Sequence, residues 1–484
     1  MRYYSLLLIL FSISSQQVFC QSDKKPNVLL LYMDDLRPEL NCYGKNYIHS
    51  PNIDHLAKSG IQFNNAYCNV PVCGASRASM LTGMYPTKER FINYNTFASK
   101  EVPTAISLPK LFKNNGYTTI SNGKVYHHLD DNTDDWDEIY RPYAFNKNNK
   151  NLTPTDYWQS IWKDYHDPKN KKTYLNTGNG PAYEHSNVND TTYIDGLMTQ
   201  KVIRDLKKLK KSDKPFFLTA GFISNHLPFN APTKYWNLYP ESSIQHPYNN
   251  YPQTNIPKIA IGRYYELRAY DNIPNKGSLD SYTSKKLIQG YYATVSYVDA
   301  LIGKISQTLK ELDLEKNTIV ILVADHGYLL EEHAEWAKFT NHKLTSQVPL
   351  IISSPLIEVN DSQSHSLVEL VDIYPTLAEL CHLDVPKNQL EGKSFVQLFK
   401  NPRKPFKEYV FTKKGNGFTI KTEKYSYTEY INPTTGNTIT STLFDHHSDA
   451  DENTNISNDP KHKKTIRELS KLLHNNFTTN IKGK

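Results

Sequence analysis

The chain has 484 residues and a formal net charge of +7, with 56 Lys and Arg against 49 Asp and Glu. Hydrophobic residues make up 38% and charged residues 22%, a globular balance that excludes a disordered tail or a coiled coil. The length exceeds the roughly 250–300 residues at which one core stops growing, so a large domain and a smaller one are expected, and the small positive surplus does not imply nucleic acid.

Residues 1–20 read as an export signal: Arg2 gives a positive start, Leu6 to Ile13 an apolar run, and Val18-Phe19-Cys20 a cleavage site. The run is too short for a membrane anchor, and no later segment is apolar enough to span a bilayer. The expected location is periplasmic or secreted. A lipid anchor through Cys20 is the alternative, although Gln17 and Phe19 fit a lipobox poorly. Without Cys20 there remain Cys42, Cys68, Cys73 and Cys381, enough for one or two bridges at most, and no C-x-x-C suggests zinc.

Apolar runs then alternate with helical patterns from Asn27 to Pro355. Buried strands are predicted at Val28 to Met33, Tyr117 to Ser121, Phe216 to Ala220, Ile319 to Val323 and Leu350 to Ile352. The clearest helix covers about Lys285 to Leu312, where Leu287, Tyr291, Val295, Val298, Ile302, Ile305, Leu309 and Leu312 recur at steps of three and four. This is the pattern of an α/β protein with a large, mainly parallel sheet between helices. Asn146 to Lys172 and Tyr235 to Lys276 lack periodicity and read as inserted surface regions. After Pro405 short antiparallel strands are expected at Tyr409 to Thr412, Phe418 to Thr422, Tyr425 to Tyr430 and Thr442 to Asp445, then a helix marked by Ile466, Leu469, Leu472 and Leu473. The predicted division is a signal at 1–20, a catalytic domain at 21–404 and a small α+β domain at 405–484.

Ligands of open α/β sheets bind outside the carboxyl ends of the strands, so the polar residues that follow each strand are the candidates. They are Asp34-Asp35, Lys124 and His127, His226, and Asp325-His326. Asp-Asp after a strand is by itself as readily a helix cap. Three carboxylates meeting at one crevice, however, repel one another unless a cation joins them, and oxygen-rich ligation suits calcium or magnesium. A second cluster is Cys73-Gly74-Ala75-Ser76-Arg77, followed by Leu81-Thr82-Gly83. Its small residues place Cys73 at a helix start, where backbone amides favour negative charge, with Arg77 one turn on.

These motifs resemble the formylglycine-dependent sulfatases of the alkaline-phosphatase-like fold, whose pattern is C-x-(P/A)-S-R with L-T-G a few residues later. The resemblance extends through Ser50-Pro51-Asn52-Ile53-Asp54, Asn122-Gly123-Lys124-Val125, Asp325-His326-Gly327 and Asp372-Ile373-Tyr374-Pro375-Thr376. Leu36-Arg37-Pro38, Gly123-Lys124-Val125-Tyr126-His127, His226-Leu227-Pro228-Phe229 and Glu332-His333-Ala334-Glu335-Trp336-Ala337-Lys338 are similar to the iduronate-2-sulfatase branch. The resemblance implies that a maturation enzyme oxidises Cys73 to formylglycine, and that one calcium ion is held by Asp34, Asp35, Asp325, His326 and the modified residue 73. It assigns Arg77, Lys124 and Lys338 to the sulfate oxygens, His127 to the formylglycine hydroxyls and His226 to the leaving oxygen. Of the neighbours His127 and His128, the register favours His127.

Two departures bear on these expectations. Ala75 stands where most members have Pro, and Ile223 and Ser224 stand where the iduronate enzyme has His and Lys, so iduronate specificity does not carry over. The implied substrate is a sulfated saccharide. An exported chain with 34 Tyr suggests an algal polysaccharide, ulvan first, with carrageenan, fucan and glycosaminoglycans open and Tyr328 and the Asn146 to Lys172 insertion as subsite elements. The alternatives are a related phosphodiesterase or phosphonate hydrolase and a silent carbohydrate-binding relative.

Overall fold

The computed structural model of the chain describes residues 25–142, 164–262, 266–357 and 360–482. The predicted export signal and residues 146–163 of the first predicted insertion lie outside them.

Nine strands form the main sheet: β1 (Asn27–Met33), β2 (Ile61–Tyr67), β3 (Thr118–Gly123), β4 (Glu138–Tyr140), β5 (Phe216–Gly221), β6 (Thr318–Ala324), β7 (Gln347–Ser353), β8 (Ser362–Ser364) and β9 (Val368–Glu369). Their order is β8-β2-β7-β6-β1-β5-β3-β4, with β9 also on β2, and all pairs are parallel except those of β7. All seven residues of β1 and of β6 are buried, the mark of strands covered on both faces. The register aligns Met33 with Ala324 and Tyr32 with Gly221, while Gly123 pairs with Gly221. Four parallel strands therefore end at one level, and whatever follows them meets there. Gly221 is required at this level, because a Cβ there would run into the backbone of Lys124.

Helix α1 (Cys73–Thr82) is buried along its whole length and ends at Gly83 in the left-handed region. Helix α2 (Ile194–Leu209) packs on the sheet and ends in the exposed Lys207 and Lys208. Helix α3 (Ser281–Glu311) matches the predicted periodicity, and Asp280 caps it by accepting from Thr283 N at 2.8 Å. It is also buried beyond the predicted stripe, at Ile288, Ala293, Thr294 and Ser296. Phe229 and Trp236 pack so closely over it that a Cβ at Gly290 would meet both.

This packing corrects the reading of Tyr235 to Lys276 as a surface region. Tyr235, Trp236, Tyr239, Ile244 and Leu267 are buried, and the start of the stretch packs on α3, with Gln289 donating to the Tyr239 carbonyl at 2.7 Å, instead of projecting from the surface. The first insertion also holds order the sequence pattern did not suggest: Asp167 caps a helix at Pro168–Thr177.

The C-terminal part is an antiparallel sheet of β10 (Val410–Lys414), β11 (Gly417–Lys421), β12 (Tyr425–Ile431) and β13 (Thr438–Asp445), covered by α4 (Lys463–Lys482). It has its own core, in which Phe411 stacks on Phe477 at 4.1 Å beside Ile420, Leu443 and Leu473. Cys42, Cys68, Cys73 and Cys381 form no disulfide. Among the described residues no helix is long and apolar enough to cross a membrane.

Candidate functional site

The strand ends bring the predicted residues together. Asp34 and Asp35 leave β1, Lys124 leaves β3, Asp325 and His326 leave β6, and Cys73 opens α1. Val72, the residue before Cys73, is extended and offers no side-chain cap, so the first amides of α1 are left to other partners. Ligand atoms of Asp34, Cys73, Asp325 and His326 all lie within 4.8 Å of one another, and all four residues are buried. His326 Nε2 lies 3.3 Å from Cys73 Sγ and 3.4 Å from Asp35 Oδ1. The Asp325 carboxylate is steered by its surroundings: its Oδ1 accepts from the backbone N–H groups of Asp35 at 3.2 Å and His326 at 2.9 Å.

Cations fill the spaces between the carboxylates. Lys124 donates to Asp34, and Lys338 donates to Asp35 at 2.9 and 3.0 Å. Burial pushes the Asp34 carboxyl up, but Lys124 and Arg77 outweigh it and hold the group well below the usual carboxylate range. Asp35 moves the other way, because burial wins over Lys338. Its backbone is held in the left-handed region, φ 57°, with the carbonyl accepting from Tyr291 OH at 2.8 Å.

Arg77, which the resemblance assigns to the sulfate oxygens, is tied into the strand ends. Its Nε binds Asp325 at 2.8 Å, its Nη1 the carbonyls of Lys124 and Val125, and its Nη2 the carbonyl of Met33 at 3.3 Å. The guanidinium also lies 4.3 Å over the Tyr32 ring. With no exposed surface and its donors on three strand ends, it is a brace for the site. Tyr328 likewise lies beneath the site: it is 0% exposed and its ring packs against Tyr291 and Phe229, leaving no open face for a sugar.

His127 and His128 part ways. His128 stacks on Phe97 at 3.7 Å, whereas the half-buried His127 ring feels the charges of Lys124, Asp34 and Arg77. Burial first, then Lys124, drives the His127 pKa well below the usual histidine range, so the ring is neutral.

At the opposite wall, His226 and Lys338 meet Glu266, a residue sequence reasoning missed. His226 Nε2 is 2.7 Å from Glu266 Oε1, and Lys338 Nζ is 3.1 Å from Oε2. Burial and Lys338 lower the His226 pKa, but the Glu266 and Asp35 carboxylates outweigh them and raise it to about 9. Asp35, His226 and Glu266 thus form a second convergent group. Asp195, at the start of α2, accepts from the N–H groups of Ile223 at 3.0 Å and Ser224 at 2.6 Å, which fixes the loop carrying His226.

The donor chemistry fits a hard divalent cation. Two of the four residues in the buried group are carboxylates, with Asp35 Oδ1 beside His326, and Asp34 Oδ1 accepts no hydrogen bond and lies 3.5 Å from the Arg77 guanidinium. Comparison with known proteins decides the family. The profile described as Sulfatase matches residues 26–383. The chain belongs to the sulfatase family. A second profile, N-sulphoglucosamine sulphohydrolase, C-terminal, matches residues 331–479. Among relatives, human iduronate 2-sulfatase is 32% identical over 431 residues, covering 80% of this chain and 74% of its own. A protein named sulfatase from Formosa agariphila is 30% identical over 468 residues, 93% of this chain and 86% of its own.

Solved structures share the fold at lower identity. A protein bound to its substrate D-glucosamine-2-N,6-O-disulfate superposes with a TM-score of 0.75 at 20% identity, covering 95% of this chain and 99% of its own. The phosphonate monoester hydrolase of Silicibacter pomeroyi gives 0.73 at 19% identity, covering 95% and 96%. The protein is thus a sulfuric ester hydrolase of the alkaline-phosphatase-like fold. Its family works with a formylglycine and a metal ion.

Proposed function

We propose that this sulfatase removes sulfate esters from a sulfated saccharide after export, and that an algal polysaccharide such as ulvan is the first substrate to test. The observation that carries the reading is Cys73 at the open start of α1, set among Asp34, Asp325 and His326 with Lys124 and Lys338 at their sides. The catalytic domain is proposed to span 21–404, with 405–484 as its C-terminal partner.

Asp34, Asp35, Asp325, His326 and residue 73 would hold calcium, which supplies Lewis acidity at the sulfate and favours ionisation of the nucleophile. Conversion of Cys73 to formylglycine by a maturation enzyme would supply that nucleophile's hydroxyl. Lys124 and Lys338 are the cations best placed for sulfate oxygens, since each already reaches a carboxylate oxygen facing the crevice. Arg77 keeps the strand ends in register. His226, protonated, faces the departing sugar oxygen, and neutral His127 takes a proton on the nucleophile side.

The saccharide reading draws on the solved relative bound to a disulfated glucosamine and on this chain's abundance of tyrosine. The phosphonate hydrolase likeness extends to the fold alone. The test is sulfate release by the matured enzyme across ulvan, carrageenan, fucan and glycosaminoglycan oligosaccharides, with aryl phosphate and phosphonate esters alongside. Release from at least one saccharide, well above the phosphorus esters, supports the reading. Preference for a phosphorus ester overturns it.

A further inference from the structure

Glu266 stands between His226, assigned to the leaving oxygen, and Lys338, assigned to the sulfate oxygens, in a segment that carries none of the family motifs. Its two oxygens lie 2.7 Å from His226 Nε2 and 3.1 Å from Lys338 Nζ. On its other side the His226 ring places Nδ1 2.6 Å from the Leu227 carbonyl oxygen. A carbonyl and a carboxylate can only accept, so both ring nitrogens carry hydrogen and the ring plane is fixed from two directions. The side chains of His226 and Lys338 are 4% and 1% exposed, whereas Glu266, at 22%, is the most accessible of the trio.

We propose that Glu266 is a positioning residue for departure of the sugar oxygen, acting through His226 by keeping its Nε2–H in place and spacing it from Lys338. The inference rests on the sulfatase reading of the site. In the step concerned the sulfuryl group passes to the hydroxyl oxygen of matured residue 73: a sulfur–oxygen bond forms there as the ester's sulfur–oxygen bond breaks, the electron pair of the broken bond stays on the sugar oxygen, and the Nε2 proton moves to that oxygen. The neutral imidazole then regains a proton from water beside the carboxylate. On binding, the ester oxygen shares the Nε2–H with Glu266 Oε1, so the contribution of Glu266 is to the aim and charge of the ring and not to sulfate affinity. Its loss should therefore be felt in proportion to how much the leaving group needs a proton.

The experiment compares matured wild-type enzyme, Glu266→Gln, His226→Gln and the double variant on two esters. One is 4-nitrophenyl sulfate, whose phenolate departs without protonation; the other is a monosulfated sugar cleaved by the wild type, whose alkoxide requires a proton. For Glu266→Gln, kcat on the sugar should fall about 100-fold, while kcat on the aryl ester and both KM values stay within about threefold. The double variant should be no slower on the sugar than His226→Gln alone. Glutamine preserves the side chain's size, and retained aryl sulfatase activity reports that the variant is folded. Equal losses on both esters, or an unchanged kcat on the sugar, would overturn the proposal. A lower KM with kcat undiminished would also overturn it, by making the carboxylate a competitor for the ester's place. A wild type that cleaves the aryl ester but no sugar would remove the saccharide reading, and the role of Glu266 with it.

Discussion

Two of the buried clusters of charge in this protein are built to opposite ends. Below the C-terminal sheet, Lys407 donates to Glu369 and, at 2.7 Å, to Asp372. Every carboxylate oxygen in that cluster has a partner. Glu369 accepts from Phe411 N at 2.7 Å, Asn69 Nδ2 at 2.9 Å and Tyr85 OH at 2.6 Å, and Asp372 accepts from the N–H groups of Glu369 at 2.9 Å and Lys393 at 2.8 Å. At the strand ends, by contrast, Asp34 leaves an oxygen without a hydrogen bond and four ligand atoms crowd within 4.8 Å. A satisfied cluster fastens the segments it joins, whereas one with unspent acceptors is arranged for something that arrives later.

The contrast breaks most sharply at Cys73. Cys73→Ala should lower sulfate release by at least about 1,000-fold with little change in melting temperature, since the side chain is small and its loss strands no charge. In the matured wild type, the peptide containing residue 73 should weigh about 18 Da less than the thiol form by mass spectrometry. Unmodified cysteine in active protein would break the formylglycine assignment.

Removing the metal should separate the clusters next. Chelation is expected to abolish turnover and calcium to restore it, and calcium at about 100 times its dissociation constant should add roughly 2.7 kcal/mol of stability. That increment, measured by thermal melts with and without calcium, should be the same in a Lys407→Met variant, because the two clusters share no residue. Lys407→Met itself should cost about 3 kcal/mol, the scale expected when one partner of a buried ion pair is removed, while kcat stays within about twofold. A large loss of activity at unchanged stability would reverse the roles given to the two regions.

How much of this was legible in the sequence follows from the same difference. The strand ends were legible because parallel strands buried on both faces read as unbroken apolar runs, and the polar residue after each run marks the crevice. Cys73 and Arg77 stood out through the spacing of a single helical turn. Glu266 lay in a stretch without periodicity, and only tertiary packing carries it to His226. The brace role of Arg77 was hidden too, since its partners are mostly main-chain carbonyls of distant strands, which leave no trace in residue types. Tyr328 looked like a sugar platform from its place after the metal motif, yet the neighbouring rings of Tyr291 and Phe229 cover it.

The smallest expected effect is a pH dependence confined to the fastening cluster. Burial lowers the Lys407 pKa, but Glu369 and Asp372 outweigh it and raise it from 10.5 to about 12. A base whose pKa is higher folded than unfolded stabilises the protein fully below the unfolded value and loses that contribution as pH rises through the folded one. The window is therefore about pH 10.5 to 12, and the contribution is about 2 kcal/mol. Asp372 runs with the opposite sign: burial raises its pKa from 3.8 to about 6 despite Lys407, so its ionisation costs stability as pH climbs across that interval. Denaturation curves of wild type and Lys407→Met should hence approach each other as pH rises above about 10.5. A gap that persists to about pH 12 would mean that packing of the lysine stem, not its charge, fastens the C-terminal sheet.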